Sequence, residues 1–164
     1  MSIQSILAVG LGNAAVADDL SALSDAEFAD LCLPIKRDTI TSKRLIGIID
    51  HLEAHDAPGS CTVWSAMVNA GVQAHSLVYR DVDDDFAMFN AALEFRIRSE
   101  KIDGFMRIED DPAERCYTIT VQHDGQIGRD VIRSYIRDRN LAKVLLSVIE
   151  LGTLRADRQA HTRH

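Results

Sequence analysis

His51 and His55 stand four residues apart within Thr41–His55, a stretch whose apolar pattern is helical. On a helix both imidazoles would share one face, where they could hold Zn²⁺ or Ni²⁺ with Asp56 or Cys61. The order is not that of metalloproteases, in which Glu directly follows the first His. Two histidines on the wet face of an amphipathic helix are usually just solvated, so no metal site is assigned to them. Asp81, Asp83, Asp84 and Asp85 form an acidic run. It lacks the glycine and terminal Glu of a calcium loop, and acids in a helix's first turn are favoured by its dipole, so capping is expected. Cys32, Cys61 and Cys116 are odd in number and widely spaced. They make no disulfide framework and read as small buried hydrophobes of a reducing compartment. There is no nucleophile elbow, phosphate-binding loop or kinase-like set, no catalytic residue is assigned, and no cofactor is expected.

Thr62–Ala70 reads as a short helix stopped by Gly71, and Ala74–Val82 as another that follows almost at once. Two short helices joined by a tight glycine turn make a helix-turn-helix, whose second helix presents polar side chains to a groove. Gly71–Val82 resembles the turn and recognition helix of many bacterial regulators. Leu93–Gly125, with its Ile102-Asp103-Gly104-Phe105 step and Tyr117-Thr118-Ile119-Thr120 return, resembles the end of a winged-helix domain. The resemblance covers roughly residues 41–125 and implies a cytoplasmic transcription regulator that binds duplex DNA. Phosphate contacts would come from Arg80, Arg96, Arg98, Lys101, Arg107 and the wing residue Arg115, with Lys36, Arg37, Lys43 and Arg44 as further cations. Base reading would fall to Gln73, His75, Ser76, Tyr79 or Asn90. A protein-interaction or adaptor module on the same scaffold is the alternative.

A second partial resemblance is N-terminal. Gly10-Leu11-Gly12-Asn13 followed by Asp18-Asp19 is similar to the opening of the hydrogenase maturation endopeptidases. That family's metal-binding trio would fall, residue by residue, on Asp19, Asp50 and His75, implying a metal-dependent processing enzyme. The same glycines also give a weak dinucleotide fingerprint, with no second strand and acidic residue where one is needed.

These residues need elements to carry them. The chain is long enough for one domain with a real core, and its 46% hydrophobic content excludes wholesale disorder. Aromatics are only 5%, so the core draws on Leu, Ile, Val and Ala, a palette that suits helices. Net charge is −7, distributed as −5 over residues 1–35, zero over 36–82, −6 over 83–126 and +4 over 127–164. An acidic total excludes a wholesale polyelectrolyte binder but not a local basic face. Helices are expected over Asp18–Leu33, Thr41–His55 (Leu45, Ile48, Ile49 and Leu52 inward), Asp83–Glu100 (Phe86, Phe89, Leu93 and Ile97 on one face) and Val131–Leu151. Strands are expected at Phe105–Ile108 and Cys116–Val121, split by Asp110-Asp111-Pro112-Ala113.

The expected fold is α+β and mostly α: a helix-turn-helix-like core, one β-hairpin wing and a long C-terminal helix. Residues 1–35 would be an N-terminal helical extension, 36–126 the winged-helix-like core, 127–152 a dimerisation helix and 153–164 a frayed tail. Val131–Leu151 carries more apolar residues than one stripe needs, so a homodimer through it is expected. No apolar run reaches the length of a membrane span, and no membrane partner is expected. A cytoplasmic location is expected, since the apolar run near Ile6–Leu11 is short and Met1–Ser5 lacks the positive charge of a secretory signal.

Overall fold

A computed structural model describes residues 32–151 apart from Ser60 and residues 85–87. The expected helix at Asp18–Leu33, Asp19 and the tail at 153–164 lie wholly or almost wholly outside them. The described chain runs α1 (Lys43–Leu52), α2 (Val63–Asn69), β1 (Val72–Arg80), β2 (Ala92–Arg98), β3 (Asp103–Asp111), β4 (Cys116–His123), β5 (Asp130–Ile136) and α3 (Leu141–Leu151). Short 3₁₀ turns precede α1 and α3, at Arg37–Thr39 and Asp138–Asn140. The five strands form one antiparallel meander in the order β1-β2-β3-β4-β5, with the helices packed on one face.

This corrects the mostly-α reading and the winged-helix-like core over 36–126. Gly71–Val82 holds β1, not a recognition helix, and Asp83–Glu100 contains β2 where one long helix was expected. Val131–Leu151 divides into a strand and a helix, and β5 pairs with β4 across the expected 126/127 boundary. α1, α2 and the β3–β4 hairpin stand where the periodicities put them.

Alternation decides the faces. Leu93, Phe95, Ile97, Met106, Ile108, Ile119 and Val121 point to the helices and are fully buried, while Glu94, Arg96, Arg107 and Thr120 point away. Trp64 of α2 stands edge-on to Phe95 at 5.8 Å, near the centre of the core. α3 buries Leu141, Leu145, Val148 and Ile149 in the same core, packing on α1, α2 and β5. The α3 part of the apolar surplus that suggested a dimer is therefore buried within one chain, whereas Val131 and Tyr135 of β5 stay exposed.

α1 is held at its start from a distance. Ser42 caps it, its hydroxyl accepting from the Leu45 N–H at 3.2 Å. Asp81, just after β1, accepts from the Ser42 N–H at 2.7 Å, the Thr41 N–H at 2.9 Å and the Thr41 hydroxyl at 3.0 Å. Burial works against its ionisation, but the donors from Thr41 and Ser42 outweigh that and hold the carboxyl below its usual range. Asp81 thus clamps α1 to the sheet and does not cap a helix of its own. A depressed folded-state value means stability that is present above the ordinary carboxylate range and is lost as pH falls through the folded value. Asp81→Asn should cost about 1–3 kcal/mol at neutral pH. Urea titrations of both proteins should show that gap closing below about pH 4. A gap independent of pH would mean that the charge contributes nothing.

Candidate interaction surface and adjoining groove

The sheet face turned away from the helices is rich in arginine, but its arginines are neutralised. Arg80 pairs with Glu109 at 3.1 Å, Arg107 with Glu94 at 2.9 Å, and Arg129 with the same Glu94 at 2.5 Å. Arg96 bonds Asp103 at 2.9 Å and Asp124 at 2.7 Å, and its guanidinium lies over the Phe105 ring. Arg98 is 3.9 Å from Asp103. Cross-strand pairs of this kind stabilise a sheet and leave little field for phosphates.

The residues expected to bind nucleic acid are scattered over this framework. Gln73, His75, Ser76, Tyr79 and Arg80 lie along edge strand β1, and Asn90 in the β1–β2 connection. Arg96 and Arg98 are on β2, Lys101 in the next turn, Arg107 on β3, and Arg115 in the β3–β4 turn. Ser76 has a structural task at the β1 bulge, accepting from the Arg96 N–H at 2.8 Å and donating to the Gln73 carbonyl at 2.6 Å. The proposed metal trio is not assembled by the described residues: Asp50 pairs with Arg37 at 2.8 Å on α1, and His75 is exposed on β1. His55 lies beyond the end of α1, so the two-histidine face does not form. Among the described residues no group of three His, Cys, Asp or Glu side chains could hold a metal. Of the cysteines, Cys116 is buried, whereas Cys32 and Cys61 are half-buried, and burial together with Glu53 pushes the Cys32 thiol up to about 11.

Val131 and Tyr135, with Arg133, Arg137 and Arg139 between apolar positions, were expected in a dimerisation helix, but this segment begins as strand β5. β5 is an edge strand, and its ladder with β4 is interrupted twice, between Ile119 and Thr120 and between Tyr117 and Ile119. At the second interruption Tyr135 takes φ +55°. That conformation suits Gly or Asn and is an outlier for an aromatic residue. Tyr135 is 70% exposed and Val131 63%, and Ile127 is fully exposed in the preceding loop. Around them Arg133, Arg137 and Arg139 have no carboxylate partner among the described residues, in contrast to the arginines of the sheet face. Arg137 donates to the Glu114 carbonyl at 3.0 Å, which ties this segment to the β3–β4 turn.

Beside that edge is a groove of about 700 Å³. Its walls come from Arg44 of α1, Asp110 and Tyr117 at the ends of β3 and β4, Arg115 of the turn, and Asp138 of the 3₁₀ turn. Asp110 and Tyr117 are cross-strand neighbours on the helix-facing side, at the point where the sheet runs out beyond α1. Gly47 lies on the face of α1 shared by Arg44 and His51, beside the Tyr117 hydroxyl, which a Cβ there would meet at 3.6 Å, an ordinary contact. Asp138 Oδ1 accepts from that hydroxyl at 3.0 Å and bonds His51 Nε2 at 2.8 Å. The bond to His51, with Tyr117 assisting and partial burial opposing, holds Asp138 below the usual carboxylate range. Burial and the neighbouring Asp138 push the Tyr117 hydroxyl well up. Asp110 is raised, chiefly by burial, with Arg44 opposing and Asp111 and Asp138 adding. Among the described residues no hydroxyl or thiol is bonded to the imidazole of the Asp138–His51 pair, which braces the groove.

Comparisons with family models, with curated proteins and with solved structures return no match. Neither the winged-helix resemblance nor the maturation-endopeptidase resemblance therefore has a relative to rest on. No helix among the described residues is long and apolar enough to cross a membrane.

Proposed function

We propose that the protein is an interaction module that docks an acidic, apolar-bearing segment of a partner protein on its β5 edge. The observation that carries this reading is Tyr135. An aromatic residue at φ +55° costs about 1–3 kcal/mol of backbone strain, and one that is 70% exposed recovers little of it by burial. Strain of this kind, unrelieved within the chain, is what a contact surface retains. Val131 and Ile127 supply further apolar area, and Arg133, Arg137 and Arg139, which have no carboxylate partner among the described residues, supply the charge that selects an acidic partner. The two bulges break the backbone ladder, so docking runs through side chains and not through strand addition. A duplex-DNA regulator draws less support from this geometry, because its recognition helix is replaced by β1 and Arg80, Arg96 and Arg107 are committed to carboxylates.

The test uses fluorescence polarisation with three labelled probes: a peptide alternating Glu with Val and Leu, the same peptide with Lys for Glu, and a DNA duplex. The acidic peptide should bind at micromolar strength, weaken with added salt, and lose about tenfold or more in the Arg133→Glu, Arg139→Glu double variant. Tyr135→Gly should weaken binding as well, while leaving the melting temperature unchanged or higher, since it removes the strain. Equal binding of the two peptides, or tight binding of the duplex alone, would overturn the interaction reading.

A further inference from the structure

The groove beside the β5 edge is a second site of different chemistry. We propose that it binds a small zwitterion, with the ligand's cation held at Asp110 and its carboxylate at Arg115. This proposal does not depend on the docking reading, in which neither residue takes part.

Three observations carry it. The first is size: about 700 Å³ lies within the range of small-molecule sites. The second is the Asp110 wall. Asp110 is only 8% exposed and forms an ion pair with Arg44 Nε at 3.5 Å, but its Oδ2 accepts no hydrogen bond from the described residues. Asp111 and Asp138 add negative potential there against the single guanidinium of Arg44 beside Asp110, Asp138 being already bonded to His51 and Tyr117. A buried carboxylate oxygen without a hydrogen bond is costly, and a cationic N–H donor from a ligand supplies what is missing. The third is the Arg115 wall. Arg115 lines the same groove, is exposed and has no carboxylate partner among the described residues. Its backbone, at φ +50°, is fixed in place, because the Arg137 guanidinium donates to the Glu114 carbonyl. A guanidinium on a pinned turn is a ready partner for a carboxylate, which it can grip through two N–H groups. One negative and one positive wall select a molecule with both charges over a simple anion or a simple cation.

The experiment is isothermal calorimetry of the full chain with L-arginine, with agmatine (the same cation lacking the carboxylate) and with valerate (a carboxylate lacking the cation). L-Arginine should bind with a Kd of about 1 mM or tighter, and the other two about tenfold or more weakly. Asp110→Asn and Arg115→Asn should each weaken L-arginine binding about tenfold. Asn is close in shape to Asp and tolerates the positive φ at position 115, so both variants should keep the wild-type circular dichroism. Should Asp110→Asn fail to fold, Arg115→Asn in the exposed turn carries the test alone. The proposal is overturned if L-arginine gives no binding heat, if agmatine binds as well as L-arginine, or if a folded variant binds like the wild type.

Discussion

Leu145→Asp should unfold the protein, not yield a soluble, folded monomer. Leu145 is fully buried in α3, which packs against α1, α2 and β5. Removing a buried leucine costs about 2–5 kcal/mol by lost transfer and cavity alone. The carboxylate that replaces it would have no partner among the aliphatic side chains around it, and an unpaired buried charge adds several kcal/mol more. Together these reach the whole stability of an ordinary domain, about 5–15 kcal/mol. Far-ultraviolet circular dichroism of the variant should lack the native spectrum, and light scattering of the wild type should report a monomer. Val131→Asp is the matched control, since Val131 is 63% exposed on β5 and its change should stay within about 0.5 kcal/mol. Had the apolar residues of Val131–Leu151 formed one dimer face, both substitutions would disrupt the dimer and neither would unfold the chain. A folded Leu145→Asp monomer would restore that interface.

What the sequence discloses depends on whether a single period fits each stretch. In α1 the inward set Leu45, Ile48, Ile49 and Leu52 fits only a helix, and all four residues are buried. In β4, Tyr117, Ile119 and Val121 alternate with threonines and fit only a strand. Leu93 and Ile97 are ambiguous, because four residues return to the same side in a helix and in a strand alike. Phe95 decides between them: a helix turns it about 200° from Leu93, whereas a strand keeps it on their face. It is fully buried beside them, so an apolar residue at the midpoint outweighs the spacing of Phe86, Phe89 and Leu93. β1 was harder to read, since the register slip between Gln73 and Val78 destroys any alternation in Val72–Arg80. The groove was hidden for another reason. Asp110 resembles a turn residue in Asp110-Asp111-Pro112-Ala113 but is an inward position of β3, and the bond between His51 and Asp138 spans 87 residues. At position 135 a positive φ predicts Gly or Asn, so a Tyr gives no signal before the backbone is known.

Gly71→Ala should be the most damaging change available at a glycine among the turns. Gly71 follows α2, whose last turn is closed by the Ala70 N–H, and it leads directly into β1. Its φ of +113° lies where L residues are strained by about 1–3 kcal/mol. A Cβ there would also stand 2.0 Å from the Arg98 carbonyl oxygen and 2.8 Å from its carbon, both of them backbone atoms. No side chain can swing aside, so the strands must separate at the point where the Arg98 N–H donates to the Gly71 carbonyl at 2.9 Å. That bond and the Val72–Ile97 pair next to it begin the β1–β2 register, upstream of the bulge. Strain and strand separation together should cost about 3–5 kcal/mol. Gly59→Ala isolates the first of these effects: its φ is +79° but nothing lies within 4 Å of the added Cβ. It should cost about 1 kcal/mol, the strain alone. With a urea slope of about 1–3 kcal/mol per molar, the two variants should differ in midpoint by about 1 M or more. Equal midpoint shifts would mean that β1 gives way at no cost, and that its start contributes nothing to the stability of the sheet.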